Sequence, residues 1–309
     1  RDVERSRGLG DVYKRQARLA ETSGLPLPLN LSPAERAALE AKLGSAGIEG
    51  SAFLASEEEA LACLRRGEPL TEGRAPTELL ASHAARRERL NHYLPGMWQF
   101  RGEWFWGLDR YEFLTRRLSR AGVLEGAAPE LPHDPAKLPL EGASADAPVE
   151  FWFSFRSPYS YLAAVEIGRR RAQGHWSQLR VRPVLPMVMR GLPVPKAKRF
   201  YIVRDVYRCA QAQDVPFGRL HDPVGDGVMR LLTVFPWEAD SESQLKFCIV
   251  AGQSIWAEGL DVRRDDVLQS IFLRSGLPWE PAKERLSQGY DVSRAEANRA
   301  ALFDAGLWG

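Results

Sequence analysis

The stretch Val149-Glu150-Phe151-Trp152-Phe153-Ser154-Phe155-Arg156-Ser157-Pro158-Tyr159-Ser160-Tyr161-Leu162 decides the fold. Its first seven residues are mostly apolar and aromatic, the composition of a strand buried on both faces. Arg156 and Ser157 break the run, and Pro158 stands where a helix can begin. Serine can offer its hydroxyl to an orphan amide of the first turn, and proline at the first helical position has no N–H to leave unpaired. The helix is predicted over residues 159–173. Residues 179–185 read as a second strand, so the segment predicts a βαβ unit, parallel and right-handed.

Downstream, Pro186, Pro193 and Pro195 mark loop sequence, followed by helices predicted over 196–213, 241–258, 263–274, 281–288 and 293–305. Gly225-Asp226-Gly227 is too short and wrongly placed for a phosphate loop and reads as a turn. Upstream, residues 121–148 are rich in Ala, Pro and Gly, with Pro129, Pro132, Pro135 and Pro139 breaking any periodicity, so they read as a linker. Before it, aromatic runs at 97–100 and 103–106 flank the two-residue turn Arg101-Gly102, the pattern of a β-hairpin, and a helix follows over 108–120. Three more helices are predicted: 31–42, capped by Ser32 with Pro33 at its first position; 56–66, with three glutamates in its first turn; and 77–90.

Composition narrows the function. A chain of 309 residues with 44% hydrophobic content can bury two modest cores. Lys+Arg at 42 against Asp+Glu at 40 leaves a net charge of +2, so no broad field draws the protein to nucleic acid or anionic lipid. Small molecules or proteins remain as partners, a second copy in a homodimer included. No apolar run approaches the roughly 18 residues needed to cross a bilayer. Cys63, Cys209 and Cys248 stand far apart with no C-x-x-C, a usage that encodes no dithiol centre and fits a reducing cytoplasm. His83, His92, His133, His175 and His221 show no metal-ligand spacing. Residues 11–16, Asp-Val-Tyr-Lys-Arg-Gln, resemble the translation of a transposon adapter, so residues 1–16 are set aside as non-native. With no initiating Met and an end at Leu307-Trp308-Gly309, the chain is expected to be a fragment of a longer gene product.

Taken in order, the strand entering Ser157-Pro158-Tyr159, then Arg182-Pro183-Val184-Leu185, Pro195-Lys196 with Tyr201, Asp205 and Arg208, Val215-Pro216-Phe217 and finally Leu307-Trp308-Gly309, the sequence resembles the 2-hydroxychromene-2-carboxylate isomerases and kappa-class glutathione transferases of the DsbA-like thioredoxin-fold family. The resemblance covers residues 149–309. Tyr93-Leu94-Pro95, the hairpin and Gly107-Leu108-Asp109-Arg110 resemble the closing ββα segment of the same family, with Pro95 at its cis-proline position. The resemblance implies an α/β fold, thioredoxin-like of the DsbA type, with an α-helical insertion and incomplete at both ends. It also implies a tandem arrangement: the C-terminal part of a first domain at 17–122, a linker at 123–148, and the N-terminal part of a second at 149–309. Alternatively the two halves dock as one permuted domain, which requires a backbone ladder between 97–106 and 149–155.

In the isomerases the serine does not attack; its hydroxyl bonds the sulfur of glutathione and favours the thiolate. The resemblance gives that role to Ser157, with Phe155, Arg156, Pro158, Tyr159, Lys196, Trp308 and Pro95 as the surrounding binding residues and glutathione as co-substrate of an isomerase or transferase. Serine cannot form a mixed disulfide, which ranks thiol–disulfide exchange lower. Met189-Arg190-Gly191-Leu192-Pro193 lacks the asparagine that the family carries in this loop. Two alternatives stay open: a non-catalytic binding module in which Ser157 only caps its helix, and a thiol oxidoreductase of the DsbA superfamily. Lys196, Arg204 and Arg208 either line a pocket for an anionic substrate near Ser157 or form a solvated face. Trp98, Phe100, Trp104 and Trp106 have no basic groove around them and read as hairpin packing rather than a base-stacking platform.

Overall fold

The Arg101-Gly102 pair puts two consecutive residues in the left-handed region, at φ 47° and 80°, the requirement of the tight hairpin turn whose twist matches its strands. In a computed structural model of the chain, which describes residues 32–35, 37–39, 59–69, 77–91, 97–127, 148–192 and 194–307, this turn joins β1 (Met97–Phe100) to β2 (Glu103–Trp106). The strands are antiparallel, with Met97 opposite Trp106 and Phe100 opposite Glu103. Before them comes α1 (Thr77–Arg89), and after a 3-10 turn at Leu108–Arg110 comes α2 (Tyr111–Arg120). Phe105 and Leu114 are buried, Trp104 donates its indole N–H to the Leu90 carbonyl at 3.1 Å, and Trp98 remains 46% exposed. The described parts of the two earlier predicted helices, 33–35 with 37–39 and 59–65, are helical.

The described residues up to 127 belong to one compact unit and those from 148 onward to another. In the second, β3 (Val149–Phe153) pairs in parallel with β4 (Leu179–Pro183), Val149 facing Leu179 and Phe153 facing Pro183. The connection between them is α3 (Pro158–Ala172), which completes the βαβ unit. Each sheet has two strands among the described residues: β1 pairs with β2 and β3 with β4. β3 ends two residues earlier than its apolar run, because the backbone turns at Phe155 and Arg156.

The helical insertion follows: α4 (Lys196–Ala212), α5 (Asp226–Val234), α6 (Ser241–Trp256), α7 (Asp265–Ser275), α8 (Glu280–Ser287) and α9 (Ser293–Asp304). Helix α5 corrects the reading of Gly225-Asp226-Gly227 as a plain turn. Gly225 does turn, at φ 80°, but Asp226 then opens a helix whose Val228, Leu231 and Leu232 are fully buried. Asp240 caps α6 by accepting from the Glu242 and Ser243 amides at 3.0 and 2.9 Å.

The core is an interlocking set of aromatic rings. Phe155 lies edge-on to Phe153, Phe235 and Phe247 at 5.0, 6.4 and 6.2 Å, and Phe247 meets Phe272 at 5.2 Å. Edge-to-face pairs of this kind add about 0.5–1.5 kcal/mol beyond the area they bury. Helix α3 lies against α6 where Gly252 leaves room for the Tyr161 ring. Tyr161 is buried, donates its hydroxyl to the Pro216 carbonyl at 3.1 Å, and has its phenol pushed up to about 12 by burial. Helix α9 closes over β4, with the Asn298 amide donating to the Pro183 carbonyl at 2.9 Å.

Candidate active site

Ser157 stands at the N-cap of α3 with extended backbone, φ −99° and ψ 111°. Its amide donates to the Ser154 carbonyl at 2.9 Å, closing the strand-to-helix turn, and its Oγ accepts from the Ser160 amide at 3.2 Å. A serine hydroxyl has one O–H donor and two lone pairs. The cap occupies a lone pair and leaves the donor for a guest. Ser157 also lines a cavity of about 330 Å³. The capping role and a role toward a guest sulfur are thus compatible at one oxygen.

The cavity has apolar walls, among them Trp152, Met187, Ile202 and Trp256, and four cationic side chains against one carboxylate, Asp222. That carboxylate is taken: it receives Arg156 in a two-pronged pair, Nε at 2.8 Å and Nη2 at 2.7 Å. Arg156, which also lines the cavity, thereby fastens the β3–α3 turn to the loop before α5.

Lys196 lies off the cavity wall. It is exposed at the first position of α4 and sits 5.8 Å over the Phe200 ring. Residues two apart on a helix point to different faces, and it is Lys198 that lines the cavity. Burial holds the Lys198 ammonium below the ordinary lysine range. A signal for it was present: Lys198, Tyr201 and Asp205 fall at i, i+3 and i+7, one face of α4.

Pro158 and Tyr159 line the cavity. Tyr159 is held by Asp205, a carboxylate buried at 1% exposure, to which it donates its hydroxyl at 2.6 Å. Asp205 also accepts from the Tyr201 hydroxyl at 3.2 Å and from Arg208 Nη2 at 3.3 Å, so the buried charge is paired and hydrogen-bonded. Phe155 does not belong to the site, being enclosed by the ring cluster of the core. Strand alternation puts Phe155 on the side of Phe153, while Trp152 and Ser154 line the cavity. The 3-10 turn Met187–Arg190, where the family asparagine is missing, contributes Met187 and Arg190 to the cavity wall. Arg204 is exposed, in keeping with a solvated face. Trp308 and Pro95 lie outside the described residues.

A sequence profile of the DSBA-like thioredoxin domain matches residues 148–309, just over half of the chain. The chain belongs to that family. Among solved structures, this DSBA-like chain is similar to a 2-hydroxychromene-2-carboxylate isomerase, at 20% identity over 52% of this chain and 81% of the isomerase, with a TM-score of 0.41. It is also similar to a candidate protein disulfide isomerase from Nitrosomonas europaea, at 14% identity over 51% of this chain and 79% of the other, with a TM-score of 0.35. No curated protein matches it.

In this DSBA-like chain the residue that caps α3 is a serine, Ser157. Cys63, Cys209 and Cys248 are all thiols; the last two are buried, and burial raises the Cys248 thiol well above the ordinary range. Among the described residues no group of three or more His, Cys, Asp or Glu side chains could hold a metal ion, and no helix is long and apolar enough to cross a membrane.

Proposed function

We propose that the Ser157 cavity binds glutathione and that the protein is a glutathione-dependent isomerase or transferase acting on a conjugated small molecule. The observation that carries this reading is the Ser157 hydroxyl, seated at the mouth of a helix on the wall of a predominantly cationic cavity with its O–H donor left over from capping. The chemistry of the residues fits the guest. A hydroxyl donor and the positive end of α3 favour an anionic sulfur, and Lys198, Arg190 and Arg199 face a molecule that carries two carboxylates.

Bound glutathione would supply a thiolate able to add reversibly to a conjugated double bond and to leave after rotation about it. The protein's part is electrostatic and steric. The α3 terminus contributes about 0.3–1 kcal/mol toward the anion, up to about 2 when partly buried, which lowers a thiol pKa by roughly one unit. The Ser157 O–H donates to the sulfur, Lys198 holds charge at the α4 wall, and Trp152 and Trp256 keep water from the apolar part of the guest. The absence of a cysteine at this position removes the mixed disulfide that a thiol oxidoreductase would need.

The cavity tryptophans provide the assay. Glutathione should quench their fluorescence saturably, and bound thiol should titrate about one unit lower than in water. Ser157→Gly removes the hydroxyl at a capping cost of only a few tenths of a kcal/mol, and Ser157→Asp keeps the cap while opposing an anion. Both should weaken binding and return the thiol to its ordinary range. Saturable binding unchanged in Ser157→Gly, or no saturable binding to the wild type, would leave Ser157 as a capping residue of a non-catalytic module.

A further inference from the structure

A second cavity, of about 560 Å³, lies apart from Ser157, between the end of α5 and the α8–α9 segment. Its walls are aromatic: Phe235, Trp237, Phe272 and Tyr290 all line it. Phe235 and Trp237 are fixed against each other edge-on at 4.7 Å, and the Trp237 indole is anchored on the Leu232 carbonyl at 3.2 Å. Asp291, on the rim, is held by its backbone, its amide donating to Thr233 Oγ1 at 3.1 Å. The volume lies in the range of small-molecule pockets, roughly 300–1,000 Å³.

Two guanidinium groups enter this cavity with unequal company. Arg294 pairs with Glu238 at the rim and lies 5.7 Å over the Trp237 ring. Asp291, the other carboxylate there, is committed to the start of α9, accepting from the Ser293 amide at 2.9 Å. Arg285 has no carboxylate partner among the described residues. It donates from Nη2 to the Val234 carbonyl at 3.0 Å, and its Nε is buried without an acceptor. Burial and the like charge of Arg294 both hold Arg285 below the ordinary guanidinium range. A half-buried cation facing another cation gains most from an anion placed beside it, and a guanidinium suits a carboxylate in particular.

We infer that this cavity is a second binding site, for a small aromatic carboxylate whose ring lies among Trp237, Phe272 and Tyr290 and whose carboxylate pairs with Arg285. The ligand is read from the walls. An inorganic anion would satisfy Arg285 but leave four aromatic surfaces without a counterpart, and a neutral arene would leave the guanidinium as it is.

Fluorine NMR titration of the 309-residue chain with para-trifluoromethylbenzoate tests this, with para-trifluoromethylbenzamide as the neutral comparison. Saturable binding is expected for the acid, with the amide and Arg285→Met each about ten- to hundredfold weaker, and Arg285→Lys in between. Acid and amide binding alike, unchanged affinity in Arg285→Met, or no saturable binding would each overturn the assignment; the second outcome would point to the Ser157 cavity. If Arg285→Met does not fold, hydrogen exchange on the wild type decides. The benzoate should protect amides of residues 285–291, and protection confined to 154–160 refutes the site.

Discussion

Gly252→Ala is the sharpest test of how α3 and α6 are fitted together. A Cβ at this position would stand 2.5 Å from Tyr161 Cδ2 and 2.9 Å from its Cγ, where relaxed carbon contacts sit near 3.5–4.0 Å. The obstacle is the near end of a buried ring whose far end is tied to the Pro216 carbonyl, so it cannot swing aside as a methyl tip could. In an isolated helix the change would be favourable by about 0.8–1.0 kcal/mol. Overpacking costs about 1–3 kcal/mol, and a strained Tyr161–Pro216 bond costs part of another 0.5–1.5 kcal/mol. The balance is a loss of about 1–2 kcal/mol, or roughly 2–8 °C in Tm for a unit of this size. Gly168→Ala is the control, since its Cβ would meet the rotatable Ile249 Cδ1 at 3.1 Å and should cost little. Urea denaturation of both variants measures the difference. A Gly252→Ala protein as stable as the wild type would refute the packing argument, as would equal losses for the two glycines.

Two further outcomes follow from burial. Because the folded state holds the Lys198 pKa below that of the unfolded chain, the unfolded chain binds more protons in the window between the two, so stability should rise as pH climbs through that window toward 10.5. Urea midpoints across that range should show this slope in the wild type and not in Lys198→Met, and parallel profiles would contradict it. Among the three cysteines, Cys63 is half-buried while Cys209 and Cys248 are buried, so a thiol-reactive dye should label Cys63 rapidly in the native protein and all three after unfolding. A fast phase that survives Cys63→Ser would show that one of the buried thiols is reached.

What could be read before the structure was known divides along physical lines. The βαβ unit and the hairpin were legible because each is coded locally: an apolar run ended by Ser157-Pro158, and aromatic runs about Arg101-Gly102. Helix α5 was hidden because Gly225 and Gly227 look like turn residues, and only burial of Val228, Leu231 and Leu232 against distant segments makes the stretch a helix. Ser157 was legible as a cap, but its place on a cavity depends on α4, which the sequence does not position. The same gap explains the choice of Lys196 over Lys198, which lie on different faces of one helix. The Arg156–Asp222 pair spans 66 residues, and no local pattern announces a partner at that separation.

The ring cluster that fills the core has a consequence for anyone who would reshape this protein. Phe155 sits in the turn just ahead of Ser157 and touches Phe235, which in turn lines the larger cavity, as does Phe272 through Phe247. The wall of the larger cavity and the turn that carries Ser157 therefore rest on one run of ring contacts, although no ring of that run lines the Ser157 cavity. Trimming Phe235 or Phe272 to widen the larger cavity would remove support beneath that turn, so an engineer must enlarge it from its outer rim inward.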